Sequence, residues 1–220
     1  MSTVILSCTS LADYVAAAQA SAGTAYPVIT VEKANHKEPE QMKALVAKMI
    51  DDLPADVDTV LVATGFCGGL WDHVTATRRL VIPRVDDCVS AVLHMDDEYH
   101  PNLKEPYHLY MFEDDPDSFG VDQMMREYSN DEDLKNWSQA ELFKMFFAGY
   151  NYLDIIDTGI NDCYNEEYVM KAQENADKFG AELGYVTGSN LLMEKLVSGR
   201  WDEQFIVAEP GKLIRHGDFF

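Results

Sequence analysis

Three of the four cysteines in this chain, Cys8, Cys67 and Cys88, fall where expected strands give way to loops or helices. In an open parallel sheet such positions gather on the carboxyl edge, where these folds build their sites, so thiols far apart in sequence can meet at one point. Thiolates crowded together need a compensating cation, and three converging cysteines therefore point to a bound metal more than to a bare nucleophile. No pair has the short C-x-x-C spacing of zinc ribbons or ferredoxins, so any convergence must come from the fold. The competing expectation is that each cysteine is a small buried hydrophobe, as free cysteine often is.

The neighbours of these residues sharpen the chemistry. Cys67 lies in Gly65-Phe66-Cys67-Gly68-Gly69, and Gly65, Gly68 and Gly69 let backbone approach a ligand closely or adopt positive φ. A phosphate cradle fits poorly, because neither G-x-G-x-x-G nor the Lys-Ser/Thr ending of a P-loop is present. His73, six residues beyond Cys67, is a candidate nitrogen ligand or proton carrier and joins the three glycines as a cofactor-binding set. Cys88 is expected in the first turn of a helix, where the macrodipole lowers a thiol pKa while Asp86 and Asp87 push the other way. Cys163, in Asn161-Asp162-Cys163-Tyr164, is a candidate fourth ligand. His94, six positions past Cys88, turns to another side of that helix and is read as packing or solvated. No Ser-His-Asp order or zincin motif stands out, so no catalytic residue is assigned and hydrolysis is not indicated; Trp71 and Trp201 read as packing residues.

The elements that must position these side chains follow from periodicity. Residues 3–8 read as a buried strand, 11–22 as a helix stopped by Gly23, and 27–32 as a second strand, which is a βαβ opening. Pro39 starts a helix with Met42, Leu45, Val46, Met49 and Ile50 at helical spacing, and the almost wholly apolar 59–64 is a third strand of the kind found in covered parallel sheets. Residues 80–84 form a fourth strand, and Asp86 or Asp87 caps a helix from Cys88 to about Met95. Residues 96–106 read as a connection, 107–112 as a strand and 113–117 as an exposed loop. Ser138 with Glu141 makes a capping box for a helix through Phe146. Then come a strand over 152–158, a helix over 166–179 with Val169, Ala172, Ala176 and Phe179 inward, and a strand over 183–187. A helix over 190–198 stops at Gly199, and 205–208 closes the sheet. The expected class is α/β, with mostly parallel sheets flanked by helices, in two Rossmann-like lobes around a central cleft. The first lobe is 1–100, carrying Cys8, Cys67 and Cys88, and the second is 101–220, unless the chain is one continuous domain.

Bulk properties narrow the partners. In 220 residues with 47% hydrophobic content, 38 acidic side chains face 17 basic ones. That balance repels phosphate backbones and anionic lipid heads, so neither nucleic acid nor a membrane surface is an expected partner. The amino-terminal Met1-Ser2-Thr3 carries no basic region, and no apolar run approaches the ~20 residues needed to cross a bilayer. The expectation is a soluble, cytoplasmic protein, a setting in which disulfides are rare.

Taken together, Cys8, Gly65-Phe66-Cys67-Gly68, Leu80-Val81-Ile82-Pro83-Arg84 with Asp86-Asp87-Cys88, the strand from Tyr152 to Gly159, and Leu191-Leu192 through Gly199-Arg200-Trp201-Asp202 to Phe205 and Pro210-Gly211 resemble the family called domain of unknown function 1638. The resemblance spans nearly the whole chain and is most specific around Cys67 and Asp87-Cys88. It implies a place beside corrinoid-dependent methyl transfer in anaerobic one-carbon metabolism, with a corrinoid protein or methyltransferase as partner and a corrinoid as a possible ligand. In that setting the three cysteines would hold an iron–sulfur cluster with one open iron, or zinc with an exchangeable fourth position. The alternative function is a small-molecule-binding or scaffold α/β protein whose cysteines only pack.

Overall fold

A computed structural model describes residues 2–32, 39–116, 134 and 136–220. The chain forms two compact units: Met1–Lys104 together with Gly188–Phe220, and Glu105–Thr187. The second unit is thus an insertion in the first, and residues 188–220, which the sequence grouped with a lobe running from 101 onward, build part of the first unit.

Unit 1 carries a five-stranded sheet. β1 (Ser2–Cys8), β2 (Val28–Val31), β3 (Val57–Ala63), β4 (Arg79–Pro83) and β8 (Phe205–Ala208) lie in the order β2-β1-β3-β4-β8. The first four are parallel, and β8 returns antiparallel along β4, with Ile82 opposite Ile206. After β2 the chain crosses back past β1 to lay down β3, so the strand order reverses between β1 and β3, and open α/β sheets place ligands outside the carboxyl ends of strands at such a reversal.

Strand burial explains why these segments pair as they do. β1 and β3 are apolar on both faces because helices cover both. On one face α2 (Pro39–Asp51) turns Met42, Val46 and Ile50, four residues apart, onto Leu6, Val60, Val62, Leu80 and Ile82. α1 (Ala12–Ala22) follows a 3-10 turn at Thr9–Leu11, buries Tyr14, Val15 and Ala18, and ends with Gly23 at φ 67°. It packs on α6 (Leu191–Ser198), which also touches β3 and β4. α6 stops at Gly199, φ 79°, as expected from the sequence. α3 is the short helix Cys88–Leu93.

Unit 2 holds a fully parallel sheet, β5 (His108–Met111), β6 (Tyr152–Asp157) and β7 (Glu182–Thr187), ordered β5-β6-β7. α4 (Gln139–Phe147) begins at the expected capping box, with Ser138 and Glu141 each bonding the other's backbone. α5 (Glu166–Phe179) starts at Asn165, whose side chain accepts the Tyr168 N–H, and buries Tyr168, Ala172 and Ala176 against Leu153 and Ile155. Residue 117 of the expected 113–117 loop and the side chain of Phe179, expected inward, lie outside the described residues. The fold is therefore α/β with mostly parallel sheets flanked by helices, as the periodicity indicates. Among the described residues no helix is long and apolar enough to cross a membrane.

One charged group lies inside unit 1. Lys195, on the apolar face of α6, is 1% exposed. Its ammonium pairs with Asp97 at 2.9 Å and with Asp202, and donates to Gln204. Burial pulls its pKa down, but the Asp202 and Asp97 carboxylates more than offset this, so the net shift is upward. Gln204 in turn donates to the carbonyls of Asp96 at 3.0 Å and Glu98 at 2.7 Å, which ties residues 96–98 to β8. Replacing Lys195 with Ala should cost about 2–3 kcal/mol in a urea unfolding curve, because charged hydrogen bonds are lost with the packed stem. Lys195→Met, which keeps the stem, should lose less.

Candidate metal centre

The site begins with three neighbouring strands. β1 and β3 run side by side with Ser7 beside Ala63, and β3 lies beside β4 with Leu61 next to Val81. Cys8 ends β1 on the face that Leu6 shares, since side chains alternate along a strand. Beyond the ends of β3 and β4 the backbone pairing continues into the loops: the Phe66 N–H donates to the Val85 carbonyl at 2.8 Å and the Cys67 N–H to the Asp86 carbonyl at 2.6 Å. Gly65 permits this. A Cβ there would lie 2.7 Å from both the Cα and the N of Asp87 and 2.9 Å from the Val85 oxygen, all backbone atoms that cannot rotate aside.

Side chains lock the same two loops. Trp71, fully buried, donates from Nε1 to the Thr64 hydroxyl and the Gly65 carbonyl, both at 3.1 Å. Asp87 caps α3 by accepting the Ser90 N–H at 3.0 Å. Lys104 binds Asp86 at 2.7 Å and also Asp87. Burial lowers the Lys104 pKa, yet Asp87 and Asp86 outweigh it and the ammonium holds its proton more tightly than usual.

The result is a meeting of thiols. The Cys88 side chain lies in contact with both Cys67 and Cys8, and each interaction favours its protonated form. Cys8 is 0% and Cys88 8% exposed, and Cys67 is half-buried, so it is the thiol nearest solvent. The contacts with Cys67 and then Cys8, followed by burial, push the Cys88 pKa well above the ordinary thiol range. The helix-end effect that favours a thiolate does not prevail, because a hydrogen-bonded thiol in a dry site resists ionisation. Cys67 itself takes φ 47°, in the left-handed region that a side chain occupies only where its surroundings impose it, and Gly68 and Gly69 follow at 70° and 110°.

These contacts and burial favour the protonated form of Cys88. Among the described residues no group of three or more His, Cys, Asp or Glu has the geometry of a metal-holding set. An S–H donor aims its hydrogen at a neighbouring sulfur, whereas ligands aim their lone pairs at a shared point, so the two geometries differ even when the same sulfurs are adjacent. Two thiolates on one tetrahedral zinc are roughly 3.8 Å apart, from a Zn–S bond of about 2.3 Å.

The other sequence candidates have separate places. His73 is at φ 60° with its side chain 74% exposed beside Asp72, and it lines a 350 Å³ depression with Lys43, Ala47, Ile50, Val74 and Leu80 against α2. Gly65 is a packing residue, while Gly68 and Gly69 leave open space where a side chain would stand. Cys163 is 3% exposed in the core of unit 2 with Met111, Leu153 and Tyr168, and burial raises its pKa. His94 is 1% exposed and its Nδ1 lies 2.9 Å from the Ser90 carbonyl; burial lowers its pKa. Sequence reasoning passed over Lys104 and saw Asp86 only as one of two helix-cap candidates and as a charge opposing the Cys88 thiolate. The sole available signal for either was the proximity of Asp86 to Cys88 in the chain.

A family model described as a protein of unknown function, DUF1638, matches residues 30–197. The chain belongs to the DUF1638 family. The matched span takes in Cys67, Asp86, Cys88 and Lys104, and Cys8 precedes it. No curated protein and no solved structure matches the chain.

Two measurements check this geometry. Gly65→Ala should force the β3 and β4 loops apart, lowering stability by about 2 kcal/mol and making Cys88 accessible to a thiol-counting reagent in the native state. In the metal-free protein, alkylation of Cys88 followed by mass spectrometry should stay slow through the ordinary thiol range near ~8.5 and rise only at higher pH. Cys67→Ala, which removes the first cause of the raised value, should move that rise to lower pH. A pKa raised by folding also means that the thiol's contribution to stability is complete below the unfolded value and is lost as pH climbs toward the folded one.

Proposed function

We propose that Cys8, Cys67 and Cys88 bind a thiophilic metal, zinc or an iron–sulfur cluster, and that the protein serves corrinoid-dependent methyl transfer as a metal-carrying accessory. The observation that carries this reading is the contact of the Cys88 thiol with both other thiols. Its setting supports it further, since the sulfurs collect at the carboxyl edge beside the β1/β3 reversal, the position at which folds of this kind hold their ligands. The donor set suits soft metals: three thiols with no competing imidazole fit Zn²⁺ or iron–sulfur chemistry and disfavour Mg²⁺ or Ca²⁺. Because Cys88 holds its proton tightly, metal entry must release protons, and apparent affinity should rise with pH.

When bound, the metal would supply Lewis acidity or a stabilised thiolate at the sheet edge. The chain's own parts have defined tasks. The loop hydrogen bonds from Phe66 and Cys67 fix the spacing of two sulfurs, Trp71 anchors the first loop, and half-buried Cys67 gives the approach from solvent.

A second reading, that the cysteines are packed core of a small-molecule-binding or scaffold protein, is favoured by the absence of a ready-made ligand geometry among the described residues. Oxygen-free purification with elemental analysis and a visible spectrum separates the two. The metal reading expects close to one zinc or one cluster per chain, falling at least tenfold in Cys67→Ser, Cys8→Ser and Cys88→Ser. Protein free of metal after reconstitution, with stability unchanged by added Zn²⁺, would leave the packing reading.

A further inference from the structure

Cys88 is the sulfur that the other two share, since it lies in contact with both Cys67 and Cys8. All four cysteines of the chain are thiols in this structure. Two thiols already in contact need only a short approach to form a disulfide, whose S–S bond is about 2.05 Å long. The loops that carry Cys67 and Cys88 are fastened together by the Phe66 N–H to the Val85 carbonyl at 2.8 Å and the Cys67 N–H to the Asp86 carbonyl at 2.6 Å. The remaining adjustment has somewhere to occur. Gly68 and Gly69, at φ 70° and 110°, follow Cys67 with open space where side chains would stand, so this loop can shift without displacing a neighbour. Cys8 has no such freedom: it is 0% exposed, and its strand is paired on both sides, with Cys8 beside Val31 and Ser7 beside Ala63.

We propose that Cys67 and Cys88 form a reversible dithiol–disulfide pair, in which Cys67 meets a low-molecular-weight disulfide and Cys88 closes the bond. The Cys67 sulfur attacks one sulfur of the small disulfide, whose S–S bond breaks; a mixed disulfide forms on Cys67, and the first small thiol leaves with the Cys67 proton. The Cys88 sulfur then attacks the Cys67 sulfur, the second small thiol leaves with the Cys88 proton, and the Cys67–Cys88 bond closes. Two cysteine thiols and one small disulfide thus become one protein disulfide and two small thiols, and the two electrons lost by the protein reduce the small disulfide. Excess small thiol runs the same steps backwards. The order follows from access, on which exchange depends: Cys67 is half-buried, whereas Cys88 is 8% exposed. Disulfides that open and close in this way serve as switches or electron carriers rather than as staples. The inference stands apart from the metal reading, because the two thiols pair whether or not a cation ever binds. A bound cation and the disulfide exclude each other, since a sulfur in a disulfide is no longer a thiolate ligand.

The test uses the full chain with a chelator present, so that its outcome is independent of any metal. The protein is equilibrated without oxygen in oxidised and reduced glutathione at a series of ratios, quenched by alkylation in denaturant, digested with trypsin and mapped by mass spectrometry without reduction. As the oxidised fraction rises, alkylatable thiols should fall from four to two, and one linked pair of peptides, residues 49–78 with 85–104, should appear. Excess reduced glutathione should abolish that link. Cys88→Ser should instead accumulate a glutathione adduct on Cys67, because the sulfur that closes the bond is gone. Cys67→Ser should take up glutathione on Cys88 roughly tenfold more slowly, since that thiol is buried. Cys8→Ser should still give the linked pair. A wild-type chain that keeps four alkylatable thiols at every ratio, or that links a different pair of peptides, would overturn the proposal, and this result needs no variant to fold. Cys88→Ser without an adduct on Cys67 would overturn the order of attack.

Discussion

Two backbone hydrogen bonds beyond the ends of β3 and β4 govern the site. Phe66 to Val85 and Cys67 to Asp86 extend the strand pairing past the sheet, and they exist only because position 65 lacks a side chain. Every other feature depends on that closeness: the left-handed turn that points Cys67 back, the capping of α3 by Asp87 that sets the start of Cys88, and the grip of Lys104 on both acidic residues. Cys8 needs no such device, because the neighbouring pairing of β1 with β3 places it directly.

The electrostatics of this edge are set by few charges in a protein carrying a formal net charge of -21. The thiols carry no charge while protonated, and the adjacent carboxylates are answered by one partly buried lysine. Because Cys88 holds its proton well above the ordinary thiol range, its sulfur adds no negative charge to this edge near neutral pH.

Much of this could be read from residue types. Apolar runs flanked by helix patterns gave the parallel strands, and the rule that such strands deliver their ends to one edge brought Cys8, Cys67 and Cys88 together before any coordinates. The capping box at Ser138, the glycine stops at 23 and 199 and the role of Asp87 were equally local signals. What escaped was nonlocal. Periodicity reports which face of an element is buried and not which strand it pairs with, so the antiparallel return of β8 and the assignment of residues 188–220 to unit 1 were invisible. Lys195 reads as a polar position on α6, and only Asp97, Asp202 and Gln204, brought in from elsewhere, make its burial tolerable. His73 looked close to Cys67 in sequence, yet a turn with positive φ sends it to the α2 surface.

The antiparallel strand has a consequence for biosynthesis. On the ribosome, β4 emerges more than a hundred residues before β8, the partner that covers its outer edge. At typical elongation speeds of ~5–20 residues per second, that edge waits on the order of ten seconds with its amide and carbonyl groups unpaired. Exposed strand borders recruit other chains, so the nascent polypeptide passes through an interval of vulnerability that ends only when its last strand is delivered.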